Sequence, residues 1–79
     1  MIEINIENEI KLLIEKCKRR RKELGLSQRQ VGEKIGKHKN VIESIENFRH
    51  TPNIGLFILY ANALDLEIII SKKQYTILN

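Results

Sequence analysis

Apolar positions set the element order. Ile10, Leu13, Ile14, Cys17 and Leu24 recur at helical spacing, with Arg20 and Arg21 filling the gap in that face. They predict a first helix over residues 8–24 that Gly25 ends, with Lys22 in its last turn suiting the helix dipole. Val31 and Ile35 lie four apart on one face of a second segment. Val41, Ile42 and Ile45 do the same for a third, leaving Lys39, Asn40, Glu43 and Ser44 mostly on the other side. Ser27 is placed to cap the second helix, with Gln30 completing a capping box. Gly36 supplies the left-handed residue between the two short helices, and His38 is a weaker cap for the third. Gly32, in mid-helix, costs roughly 1 kcal/mol against alanine. Such a cost signals a backbone passing close by.

The flanks read differently. Ile2, Ile4 and Ile6 alternate with Glu3, Asn5 and Glu7, which predicts a short strand over residues 1–7. The competing reading starts the first helix early, at Asn5. Asn47–Asn53 is loop by composition; Pro52 blocks helix entry and Asn53 caps a fourth helix over residues 54–64. Leu56, Phe57, Leu59, Tyr60, Ala63 and Leu64 would then pack behind the two short helices. Residues 66–78 are rich in β-branched side chains, which predicts a strand or a hairpin turning at Ser71–Gln74. Three consecutive isoleucines suit a strand covered on both faces, so Leu66, Ile68, Ile69 and Ile70 are expected at a dimer interface.

The 79 residues make one domain whose core is marginal alone. A single cysteine excludes an internal disulfide, and with two histidines it makes no zinc site; Cys17 reads as a small core side chain. No metal, cofactor or catalytic constellation is expected. No apolar run is long enough to span a membrane, and the first residues lack a signal-peptide pattern, so the chain reads as cytoplasmic. The net charge of +4 is unevenly spread. Residues 1–15 hold four glutamates against one lysine, whereas residues 16–39 hold ten Lys and Arg against two glutamates. The basic block coincides with the end of the first helix and the two short helices, where phosphates would be met.

From Leu26 to Asn47 the chain reads LSQRQVGEKIGKHKNVIESIEN. With Gln28, Gly32, Gly36, Ile42, Ile45, Glu46 and Asn47 in one register, it resembles the helix-turn-helix of the Cro/repressor (XRE-type) family, over about half of the chain. The resemblance implies a mainly α, lambda-repressor-like helix-turn-helix bundle of four to five helices, here with short terminal β-strands, that dimerises and binds a near-palindromic double-stranded DNA operator. It implies base reading by His38, Lys39, Asn40, Glu43 and Ser44, and phosphate contacts from Ser27, Gln28, Arg29, Asn47 and Arg49. Lys37 stands where the family is usually apolar and is expected to turn outward to phosphate. The resemblance also implies an internal salt bridge between Arg21 and Glu46. Phe48 replaces the usual glycine after Glu-Asn, which strains that turn or reshapes the loop, so the resemblance carries less detail to Arg49 and His50. The tail resembles that of HipB-like antitoxins, which repress their own operon and bind a HipA-like kinase toxin. A phage-type or orphan regulator without a toxin is the alternative. A module that kept the fold but lost DNA binding is a third reading, against which the basic block argues.

Overall fold

A computed structural model describes residues 5–70. Four helices follow in order: α1 Ile6–Glu23, α2 Gln28–Lys34, α3 Lys39–Glu46 and α4 Ile54–Ala63. No strand occurs among the described residues.

Every helix starts on a side-chain cap. Asn5 Oδ1 accepts from Asn8 N–H, Ser27 Oγ from Gln30 N–H, His38 Nδ1 from Asn40 N–H and Asn53 Oδ1 from Leu56 N–H. Ser27 and Gln30 form the full box, because Gln30 Oε1 accepts in return from Ser27 N–H at 2.8 Å. Every helix also ends alike. The N–H two residues past the cap position returns to the carbonyl five residues earlier: Leu26 to Arg21, Lys37 to Gly32, Arg49 to Ser44 and Leu66 to Ala61. This closure needs a left-handed residue just before that donor. Gly25 (φ 69°) and Gly36 (φ 68°) supply it at no steric cost, whereas Phe48 and Asp65 adopt φ 58° with a side chain attached. Aspartate tolerates this backbone; phenylalanine is strained by it.

Asn5 is extended (φ −86°, ψ 101°) and caps α1, so Ile6 and Glu7 are helical and the expected strand over residues 1–7 fails at its second half. Two forces favour the helix there. Asn5 satisfies an orphan N–H, and Glu7 and Glu9 lie in the positive first turn. Ile6 is exposed, so no buried face enforces a period of two. Residues 1–4 lie outside the described range, as do 71–79, which held most of the expected hairpin. Within 66–70 the expected strand is unpaired chain.

The core joins all four helices: Ile14 and Cys17 from α1, Val31 from α2, Ile42 and Ile45 from α3, Tyr60 and Ala61 from α4, with Leu64 at its end. Helices α2 and α3 cross closely because Gly32 lacks a side chain. A Cβ there would stand 2.5 Å from the Lys37 carbonyl oxygen. Leu13 and Leu59, expected inside, are exposed (48% and 45%). Leu12, Ile54, Ile58 and Ile68–Ile70 are exposed as well. Helix α4 is apolar nearly all round, so it cannot hide every side against three short neighbours.

Candidate nucleic-acid interface

Helix α3 presents two faces of opposite character. Ile42, Ile45 and Glu46 point inward and are buried. His38, Lys39, Asn40 and Asn47 are exposed, and Glu43 and Ser44 are half-exposed between them. Five of the polar positions singled out from sequence therefore lie along one side of one short helix and its cap. His38 Nδ1 is occupied as an acceptor from Asn40 N–H at 3.1 Å. The ring proton therefore sits on Nε2, which leaves a donor for the outside.

What holds this face in place is a buried charge. Glu46 is 1% exposed, and its carboxylate accepts four hydrogen bonds. Arg21 donates Nη2–H to Oε1 at 2.8 Å and Nε–H to Oε2 at 2.9 Å. Gln28 Nε2 donates to Oε1 at 3.2 Å, and Tyr60 Oη to Oε2 at 2.8 Å. The donors come from α1, α2 and α4, so one α3 side chain ties the four helices at one point. Arg21 Nη1 also donates to the Leu26 carbonyl at 2.8 Å, fastening the α1–α2 turn. A second tie runs from Arg20 Nε to the Leu64 carbonyl at 3.1 Å, joining α1 to the end of α4.

The charges follow from this geometry. Burial pushes the Glu46 carboxyl up, but the bonds from Arg21, Tyr60 and Gln28 outweigh it and hold the group below the usual carboxylate range. The Glu46 bond raises Arg21 above its ordinary value against the opposing effect of burial. Burial, then donation to Glu46, raises the Tyr60 hydroxyl, which stays protonated. Burial, then the Glu46 charge, pushes the Cys17 thiol up to about 11. Cys17 is accordingly an inert thiol in the core.

The proposed phosphate contacts divide into two groups. Arg29, Lys37, Asn47 and Arg49 are exposed side chains. Ser27 and Gln28 already carry structural duties. The Ser27 hydroxyl caps α2, and one of the two Gln28 amide hydrogens goes to Glu46. Only the second remains for a ligand. Lys37 keeps a free side chain, while its backbone forms the tight turn against Gly32. Arg49 folds back along α3 to place Nη2 3.6 Å from Glu43 Oε1. Phe48 lies under the Lys11 ammonium, 5.8 Å from the ring centroid, which links the end of α3 to α1. The Tyr60, Arg20 and Lys11 partnerships join residues far apart in sequence, and no local spacing signals them.

The helix-turn-helix family model matches residues 18–70, more than half of the chain. The chain belongs to the Cro/repressor (XRE-type) helix-turn-helix family. It therefore carries a DNA-binding regulator domain, in which α2 and α3 are the two helices of the motif. No curated protein and no solved structure matches it. Among the described residues, no helix of this XRE-type domain is long and apolar enough to cross a membrane. Leu66, expected only at a dimer seam, packs against the domain's own core; Ile68, Ile69 and Ile70 are exposed.

Proposed function

We propose that this XRE-type domain is a sequence-specific transcriptional repressor that binds its operator as a homodimer. The observation that carries the reading is the division of α3: an inward face anchored through Glu46, and an outward polar face from His38 to Ser44. Rigid presentation matters because base discrimination depends on donors and acceptors held in fixed positions. Lys39 suits guanine O6 and N7, Asn40 suits adenine N6 and N7, and the His38 Nε2–H suits a guanine acceptor. Lys37, Arg29, Asn47 and Arg49 frame them for phosphate. Two copies would set two such helices in successive major grooves about 34 Å apart.

The second copy would cover the exposed apolar side chains of α1, α4 and Leu66–Ile70. Exposed apolar side chains in this number on a small chain mark an association surface. The Leu66–Ile70 tail, with its resemblance to HipB-like antitoxins, supports a narrower assignment: an autoregulatory antitoxin whose second partner is a HipA-like kinase toxin. A cytoplasmic location goes with that role.

A gel shift with DNA from upstream of the gene, at two salt concentrations, tests the proposal. It predicts a discrete shifted band that survives excess random duplex and weakens steeply with salt. No band at low salt, or equal competition by random duplex, would refute sequence-specific repression. Co-expression with kinase-like neighbours tests the antitoxin assignment, which fails if the repressor always purifies alone.

A further inference from the structure

The Glu43–Arg49 pair has no use as a stabiliser. It is an exposed pair at 3.6 Å, with the arginine side chain 64% and the glutamate 38% open to solvent. Exposed pairs of that kind add little to stability. Its location gives it another meaning. Arg49 N–H donates to the Ser44 carbonyl at 3.1 Å, which fixes the Arg49 backbone just past the end of α3. The left-handed Phe48 before it turns the chain so that the arginine side chain runs back beside the helix. Its guanidinium then reaches Glu43, one turn inside the polar face.

A bare carboxylate on that face would be repelled by a duplex carrying one negative charge per about 1.7 Å. Paired, it is neutralised and acts as a fixed acceptor. The guanidinium has five N–H donors, and an ion pair at one nitrogen leaves the others free. Two parallel donors match the O6 and N7 of guanine, the commonest specific contact in the major groove.

We propose that Glu43 is a positioning residue rather than a base reader, and that it holds the Arg49 guanidinium over the groove to read a guanine. This rests on the DNA-reading assignment of α3 and adds a specific base contact to it. Arg49 thereby moves from the phosphate contacts to the base contacts.

The test is selection of binding sites from randomised duplex by the full chain and by E43Q, R49A, R49K and the E43Q/R49A double variant, each first checked for an unchanged melting temperature. R49A is expected to lose preference for one guanine in each half-site by roughly 5- to 150-fold. E43Q should weaken preference at that same position, and the double variant should be no worse there than R49A alone. R49K keeps the charge and a donor but not the rigid fork, so it should weaken the guanine preference while the salt dependence of binding stays as in the parent. The proposal is overturned if E43Q erases a preference that R49A retains, since Glu43 would then read a base itself. It is equally overturned if R49A lowers affinity alike for all sequences and flattens the salt dependence, since Arg49 would then be a phosphate contact. Failure of the parent chain to select any sequence would overturn the repressor assignment itself.

Discussion

Glu46→Gln is the perturbation that bears hardest on the architecture. Glutamine has nearly the volume of glutamate, so no cavity opens and the effect isolates the charge. The carboxylate receives two donors at each oxygen: Arg21 Nη2 and Gln28 Nε2 at Oε1, Arg21 Nε and Tyr60 Oη at Oε2. One end of the glutamine becomes an NH2. Placed at the Oε1 side it opposes one N–H that cannot reverse, that of Arg21, because the Gln28 amide can flip and accept. Placed at the Oε2 side it likewise opposes one, because the Tyr60 hydroxyl can turn and accept. In either placement Arg21 loses one bond and its counter-charge. The Arg21 side chain is only 11% exposed, so water does not replace what is lost. Breaking a buried pair from one side costs about 3–5 kcal/mol. A domain of 79 residues has roughly 4–12 kcal/mol in total. Urea denaturation at neutral pH, followed by circular dichroism, should therefore show the variant stripped of a large part of its stability, with Tm down by on the order of 15 °C or more. A loss below about 1 kcal/mol would refute the claim that this carboxylate ties the helices together.

The same node predicts a pH profile with two declining limbs. The Glu46 carboxyl is held below its ordinary value of 4.5, so its contribution is present above that pH and is lost as pH falls through the folded value. Tyr60 and Cys17 are raised above 10.0 and 9.0, so the folded form holds protons that the unfolded form releases, and stability falls as pH climbs past those values. Thermal melts from about pH 3 to about pH 11 should show both limbs. In Glu46→Gln the acid limb should shrink, and an unchanged acid limb would contradict the assignment. Gly32→Ala should lower Tm although alanine favours helix, because the clash with the Lys37 carbonyl outweighs a gain of about 1 kcal/mol; a rise in Tm would disprove the close crossing. His38→Ala should cost about 1 kcal/mol through loss of the α3 cap, and His38→Asn should restore it, both read by urea denaturation.

Much of this fold was written in punctuation. Ser27, Gly25, Gly36, Pro52 and Asn53 each name a helix end through a local requirement, and local requirements survive folding. The alternation from Ile2 to Glu7 was legible too, but it supported two readings, and a cap at Asn5 decided against the strand from Ile6 onward. The apolar residues were less certain guides. Leu13 and Leu59 match the helical period as well as Ile14 and Tyr60 do, but a four-helix core of this size has no room for all of them. At the interface, helical spacing alone grouped Lys39, Asn40, Glu43 and Ser44. Spacing did not contain Tyr60 and Gln28 as donors to Glu46, nor the return of Arg49 to Glu43. Those depend on how α2, α4 and the loop after α3 come to rest.

Base discrimination by side chains on the outer face of α3 is the central claim, and one measurement addresses it directly. Fluorescence anisotropy at fixed salt gives the affinity of the chain and of Asn40→Ala for a selected operator and for a scrambled duplex of equal length. Asn40→Ala should lose affinity for the operator by about 1–3 kcal/mol per altered contact while its affinity for the scrambled duplex is unchanged. Equal losses on both duplexes, or no loss on either, would contradict it.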